Sequence, residues 1–213
     1  MTDRKEQDLM QRKQDVARRL AKLGAESSAT YIRHRPRGIT LYCVYLLIDC
    51  SSSMDGSKLS QAKTGSIGFA ESAFHKGYSV GIISFASQVH LVSEPLSDSR
   101  QLGDRVKKLM VEGSTNLAGA LRFVAEKFTS PVQGGTVVVV TDGMPDNKDA
   151  AVKAAQRLKS MGVNIITIGT DDADQQFLEQ ISSHKDLAVR VVNKRLASGI
   201  VTAAKLLPNG GEK

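Results

Sequence analysis

The sequence predicts a doubly wound α/β domain: a mostly parallel six-stranded sheet with helices on both faces, one short antiparallel edge strand and a helical N-terminal extension. Three observations predict it. Leu41–Asp49 is apolar on both parities, with Leu41, Cys43, Tyr45 and Leu47 on one and Tyr42, Val44, Leu46 and Ile48 on the other. A strand buried on both faces belongs in the middle of a parallel sheet. Val137–Val140 and Asn164–Ile168 share this character, and helical patterns separate the strands throughout. Strand–helix alternation of this kind winds a sheet between two helical layers.

The elements follow in chain order. Leu9, Val16, Leu20 and Leu23 recur at helical spacing among charged residues, which predicts a helix from Met1 to about Gly24. Glu26–Thr30 and Arg33–Gly38, broken by Pro36 and Gly38, form a linker. This divides the chain into a basic amphipathic helix and linker (1–38), a globular domain (39–207) and a flexible tail (208–213). After the first strand, Leu59, Ala62, Ser66, Phe69 and Ala73 make a small-residue stripe able to lie close on a sheet. Val80–Phe85 is the second strand, and Val89–Val92 is a short hairpin return. Arg100–Met110 and Leu117–Phe128 are helical, then Val137–Val140 is a strand. Ala151, Ala155 and Leu158 mark a helix ending at Gly162, followed by the Asn164–Ile168 strand. Gln175–Ile181, the strand Ala188–Val192 and the helix Leu196–Leu206 complete the alternation.

Composition narrows the function classes. The 213 residues are 41% hydrophobic and 24% charged, ordinary for a globular chain. No apolar run approaches the ~20 residues that span a bilayer, and the first twenty residues lack the apolar core of a secretory signal. Cys43 and Cys50 share one strand, so seven steps put them about 23 Å apart, too far to bridge. A reduced, cytoplasmic protein is the expectation. The net charge of +7 is uneven: residues 1–40 hold 10 Lys/Arg against 5 Asp/Glu, and the remainder holds 19 against 17. The basic excess therefore belongs to the extension. With 5% aromatics, no Trp and no basic–aromatic interleaving, stacking platforms for single-stranded nucleic acid are not indicated.

In an open α/β sheet, ligands bind beyond the carboxyl ends of the strands where strand order reverses. Two loops at such ends are unusual: Asp49-Cys50-Ser51-Ser52-Ser53-Met54-Asp55-Gly56 after the first strand, and Thr141-Asp142-Gly143-Met144-Pro145-Asp146-Asn147 after a later one. Between them, Gly113-Ser114-Thr115-Asn116-Leu117 opens a helix. Carboxylate and hydroxyl oxygens converge without a His or Cys suited to a softer metal, which favours a hard divalent cation, Mg²⁺ with Mn²⁺ or Ca²⁺ as substitutes. If hydroxyls bind directly and carboxylates act through water, the cation stays electrophilic and takes a carboxylate from outside. That is a recognition device.

These motifs resemble, in order and context, the metal-ion-dependent adhesion site of the von Willebrand factor type A (VWA) and integrin I-domain family. Asp49, Ser51 and Ser53 match its Asp-x-Ser-x-Ser motif, Thr115 its threonine, and Asp142 the aspartate of its Thr-Asp-Gly; the likeness covers about residues 40–207. It implies a Rossmann-like fold with strand order 3-2-1-4-5-6 and Val89–Val92 as the antiparallel edge. It implies that Ser51 and Ser53 ligate directly, that Thr115 ligates directly or through water, and that Asp49 and Asp142 hold coordinated waters. Ser52 departs from the glycine many members carry, which stiffens the loop without removing a ligand. Intracellular members work within multi-protein assemblies that include AAA+ ATPases, chelatases and bacterial stress-response systems. The expectation is a non-enzymatic module binding an acidic residue of a protein partner through the metal.

Competing readings attach to each residue. Asp49 or Ser51 could cap the next helix, although Ser57 suits that role as well, and Ser114 or Thr115 could cap the Leu117 helix. Asp142 before Gly143 could be turn chemistry alone. Asp171, Asp172 and Asp174 form either a solvated loop with a helix cap or an extension of an acidic rim. His34, His75, His90 and His184 are scattered. A metal-dependent hydrolase or phosphotransferase is the alternative function: Asp49 resembles the nucleophile of haloacid-dehalogenase-like phosphatases, but Ser51 stands where that family has a second aspartate. No phosphate loop or nucleophile elbow occurs. Nucleic-acid binding by the basic N-terminal arm is a third reading, and predicts steep salt dependence. Without a cation, Asp49 and Asp142 should confront each other as uncompensated like charges.

Overall fold

The computed structural model describes residues 42–128 and 135–208. The expected helix at 1–24, the linker to Gly38 and all of the 208–213 tail but Pro208 lie outside the described residues.

Six strands form one sheet: β1 (Tyr42–Asp49), β2 (Tyr78–Phe85), β3 (Val89–Leu96), β4 (Gly135–Thr141), β5 (Asn164–Gly169) and β6 (Ala188–Arg190). Their order is β3-β2-β1-β4-β5-β6. All neighbours run parallel except β2 and β3, which form an antiparallel hairpin. Among the described residues, six helices flank the sheet: α1 (Ser57–His75), α2 (Ser99–Val106), α3 (Leu117–Lys127), α4 (Lys148–Ser160), α5 (Gln175–Ile181) and α6 (Leu196–Ala203).

The double parity of β1 has its expected consequence. Val44, Leu46 and Ile48 bury into one core with Phe69 of α1, Leu102 of α2 and Ile200 of α6. Tyr45 and Leu47 bury into the other, with Leu121 of α3, Leu158 of α4 and Leu178 of α5. The small residues of α1 serve a second purpose beyond lying on the sheet. A Cβ on Gly65 would stand 2.9 Å from the Ala197 backbone and from Ile200 Cβ, so glycine permits the close approach of α1 to α6.

Several boundaries differ from expectation for identifiable reasons. β3 runs on to Leu96 through Pro95; an edge strand needs no N–H on its outer side, so proline is tolerated there. α2 stops at Val106 rather than Met110, because residues 107–112 turn back until Glu112 N donates to Cys50 O (2.7 Å). The last helix gives way to a 3-10 turn at Ala204–Leu206. Capping also falls elsewhere. Asn116, not Ser114 or Thr115, caps α3 by accepting from Gly119 N (2.9 Å). The residue before α1 is Gly56 with φ 74° and no side-chain cap, and Ser57 is the first helical residue. The hydroxyls of Ser51, Ser57 and Thr115 are thus not spent on helix caps.

Strand order reverses between β1 and β4, and Asp49 and Thr141 end those two strands. The loop bearing the first motif and the loop bearing the third therefore leave the sheet side by side. Among the described residues, no helix is long and apolar enough to cross a membrane.

Candidate metal centre

Asp49 is withdrawn completely from water. Its Oδ1 accepts from the Ser51 N–H (2.8 Å) and its Oδ2 from Thr141 Oγ1 (2.6 Å). Pairing of Ile48 with Val140 in adjacent parallel strands delivers the acceptor and the Thr141 donor together. Burial pushes the Asp49 carboxyl up to about 6, against the pull of the Ser51 and Thr141 hydrogen bonds, and the Asp142 charge adds to the rise.

Beyond Asp49 the chain turns through Ser51 into the 3-10 turn Ser52–Met54. Alternate residues then aim their oxygens at one place. Ser51 Oγ and Ser53 Oγ lie 3.1 Å apart, and Ser53 Oγ donates to Asp142 Oδ1 (2.7 Å). Asp142 follows β4 directly and is also buried.

Thr115 comes from the third loop, which backbone bonds fasten to the first. Ser52 N and Ser52 Oγ both donate to Gly113 O at 3.0 Å, so the serine standing where glycine is common does tighten this turn. Gly113 has φ 27°, and a Cβ there would lie 2.0 Å from Ser87 Oγ. Asp146 fixes Thr115 from the other side. Its Oδ1 accepts from Thr115 N (3.0 Å), its Oδ2 from Ser114 Oγ (2.8 Å), and its own N–H donates to Thr115 O (3.0 Å). Asp49, Ser51, Ser53 and Asp142 thus form one bonded cluster, with Thr115 clamped in the adjoining loop.

The expectation of two uncompensated carboxylates fails at Asp142. Lys58 Nζ donates to Asp142 Oδ2 (2.5 Å) and to Asp172 Oδ2 (2.9 Å). Although partial burial works against its charge, these two carboxylates hold the Lys58 ammonium above its ordinary value. The hydrogen bonds from Lys58 and Asn193 hold the Asp172 carboxyl below its ordinary value. A signal for Lys58 exists in the sequence: it is the second residue of α1, where the helix macrodipole disfavours a cation and no acidic residue shares the first turn. A lysine there is disfavoured by about 0.3–1 kcal/mol, which an anion from elsewhere in the fold offsets.

The remaining candidates separate. Of the three aspartates after β5, only Asp172 reaches the cluster; Asp171 accepts from Asn193 N (3.0 Å), while Asp174 caps α5 and pairs with Lys148 (2.6 Å). His90 lies beside Glu112 (3.7 Å), and both line a cavity to which the buried Cys50 also contributes. Burial pushes the Cys50 thiol up to about 12, with the Asp49 charge contributing. Among the described residues, no group of three or more His, Cys, Asp or Glu could hold a metal ion. Any cation at this edge would need the serine and threonine hydroxyls. Such a set fits a small, hard ion, and a positive charge would relieve the buried Asp49 carboxylate.

The sequence model of the von Willebrand factor type A domain matches residues 44–202. The human collagen alpha-6(VI) chain is 29% identical over an alignment of 154 residues that covers 67% of this chain and 7% of that one. The chain therefore spans a small fraction of this relative's length. Among solved structures, the vWF domain of the type V pili tip protein Mfa5 from Porphyromonas gingivalis superposes with a TM-score of 0.70 at 14% identity, covering 83% of this chain and 99% of that one. Proximal thread matrix protein 1 from the mussel byssus, with a zinc-occupied MIDAS motif, superposes with a TM-score of 0.66 at 20% identity over 78% of this chain and 47% of that one. At these identities the structural likeness speaks to the fold.

Proposed function

The chain belongs to the von Willebrand factor type A family, a family of protein-interaction modules, and from that premise we propose that it binds a protein partner through a divalent cation held at the carboxyl edge of its sheet. Ser51, Ser53 and Thr115 would supply hydroxyl oxygens, with Asp49 and Asp142 as the charged groups around them. The cation, Mg²⁺ with Mn²⁺ or Ca²⁺ as substitutes, would supply a Lewis-acidic position for an Asp or Glu of the partner. The observation that carries this reading is the bonded series Ser51–Ser53–Asp142, set beside the buried Asp49.

The reading contains no bond-making step. Asp49 has both oxygens engaged, one by Ser51 N and one by Thr141 Oγ1, and is buried behind them. That is the environment of a positioning carboxylate, not of a nucleophile offered to a phosphate or an ester. A reducing, cytoplasmic setting is part of the proposal, on the sequence reading that Cys43 and Cys50 share one strand and cannot bridge each other. An intracellular multi-protein assembly, such as one built on an AAA+ ATPase or a stress-response complex, is the proposed context.

Capture of partners from native lysate on the immobilised 213-residue protein, in Mg²⁺ and in EDTA, tests the reading. A partner retained in Mg²⁺ and released by EDTA is expected. Equal capture under both conditions, with a melting temperature indifferent to Mg²⁺, Mn²⁺ and Ca²⁺, overturns it.

A further inference from the structure

Lys58 is placed where it can compete with a metal. Its ammonium contacts Asp142 Oδ2 while the other oxygen of the same carboxylate serves Ser53 Oγ. Its two carboxylate partners differ sharply: the Asp142 side chain is 0% exposed and that of Asp172 is 57% exposed, with Lys58 itself at 19%. Asn193 Nδ2 also donates to Asp172 (3.3 Å). The lysine thus spans the site and its rim, with one hold inside and one outside.

A dication among the serine hydroxyls and an ammonium on Asp142 would repel each other across a few ångströms with little water between. The two cannot share that carboxylate without loss. We propose that Lys58 is a built-in counter-cation that neutralises Asp142 when the metal is away, withdraws from it to Asp172 when the metal arrives, and thereby sets the metal affinity of the site. This rests on the metal-binding reading above and adds its regulation. Lys58 holds down affinity, and Asp172 eases the retreat.

The test titrates MgCl₂ and MnCl₂ by calorimetry, at fixed ionic strength, into the EDTA-stripped full chain. The variants are Lys58→Gln, Asp172→Asn, their double, and Lys63→Gln. Lys63 lies on the same helix but on a different face, five residues on, and donates to Lys107 O (3.1 Å), so its removal controls for net charge. Lys58→Gln is expected to lower the dissociation constant about fivefold to tenfold, the scale of one partly solvated ion pair. Asp172→Asn should weaken binding in the wild-type background and change it much less in the Lys58→Gln background, the signature of coupled residues. Lys63→Gln should shift it less than about twofold, as expected for a screened charge without contact. Unchanged or weaker binding by Lys58→Gln overturns the proposal, as does an Asp172→Asn effect equal in both backgrounds.

A measurement on the wild type stands apart from any folding defect. Amine-labelling rates read by mass spectrometry should rise several-fold at Lys58 on adding Mg²⁺, with Lys63 unchanged. If Mg²⁺ raises the melting temperature but leaves Lys58 labelling constant, the metal reading stands and the counter-cation is wrong. If no divalent ion binds either wild type or Lys58→Gln, both fall.

Discussion

Asp49 and Asp142 leave the ends of neighbouring parallel strands, and both are buried, yet the fold treats them in opposite ways. Asp49 is surrounded by neutral donors, the Ser51 N–H and the Thr141 hydroxyl, and burial dominates its protonation. Asp142 receives a hydroxyl from Ser53 and a full positive charge from Lys58. Burial alone therefore does not say what a carboxylate costs the fold; the charge of its partner does. Among the described residues only neutral donors meet Asp49, while Asp142 already has a cation from α1.

The sharpest way to break this comparison is to neutralise each carboxylate in turn and melt the proteins with and without metal. Both Asp49→Asn and Asp142→Asn should lose most of the Mg²⁺-induced stabilisation, worth about 2.7 kcal/mol at a hundredfold excess over the dissociation constant. In EDTA they should part company. Asp49→Asn should melt at or above wild type, since it removes a buried charge that only neutral groups answer. Asp142→Asn should lose about 1 kcal/mol, because Lys58 forfeits its inner partner. Two variants that move together in EDTA would erase the distinction.

Thr141→Val sharpens the Asp49 half. It keeps the shape of the side chain but takes away a hydroxyl donor from a buried carboxylate, a loss of about 1–3 kcal/mol read as a drop in denaturation midpoint. Little change would mean that Asp49 does not depend on that hydroxyl.

Smaller effects separate Thr115 from its neighbour. Asn116→Ala should cost about 1 kcal/mol as a lost helix cap and leave the Mg²⁺-induced rise intact. Thr115→Ala should leave the melting temperature in EDTA nearly unchanged and reduce the Mg²⁺ rise. The reverse pattern would return Thr115 to a capping role. Smallest of all, native Cys50 should resist alkylation at pH 8, because the thiol is buried and its ionisation is pushed up to about 12. Rapid native labelling at Cys50 would mean that the first loop opens readily beside Asp49.

How much of this was legible before the structure follows from the range of each interaction. Strand order and layering are written in local periodicity. The two parities of β1 face two separate cores, and the aliphatic run at Val137–Val140 lies next to it as an equally buried strand. Asp49, Ser51, Ser53, Thr115 and Asp142 were visible because their motifs sit at strand ends and a helix start. Lys58 was not singled out, Thr141 and Asp146 appeared only as members of the third motif's loop, and Asp172 only within an aspartate run read as either a solvated loop or an acidic rim, since each acts on a residue from another loop, with separations of 84 residues for Lys58–Asp142 and 31 for Thr115–Asp146. Caps went astray for a related reason. Ser114, Thr115 and Asn116 are all competent, and only the clamp by Asp146 decides which side chain is left facing the α3 N–H groups.

The claim on which all of this rests is that a cluster of hydroxyls and two buried carboxylates holds one divalent cation. Thermal melting of the EDTA-stripped wild type, followed by titration with Mg²⁺ at constant ionic strength, addresses it most directly. A saturable rise in melting temperature, absent in Asp49→Asn and in Asp142→Asn, is the predicted result. A wild type that melts at one temperature in EDTA, Mg²⁺, Mn²⁺ and Ca²⁺ alike would contradict it.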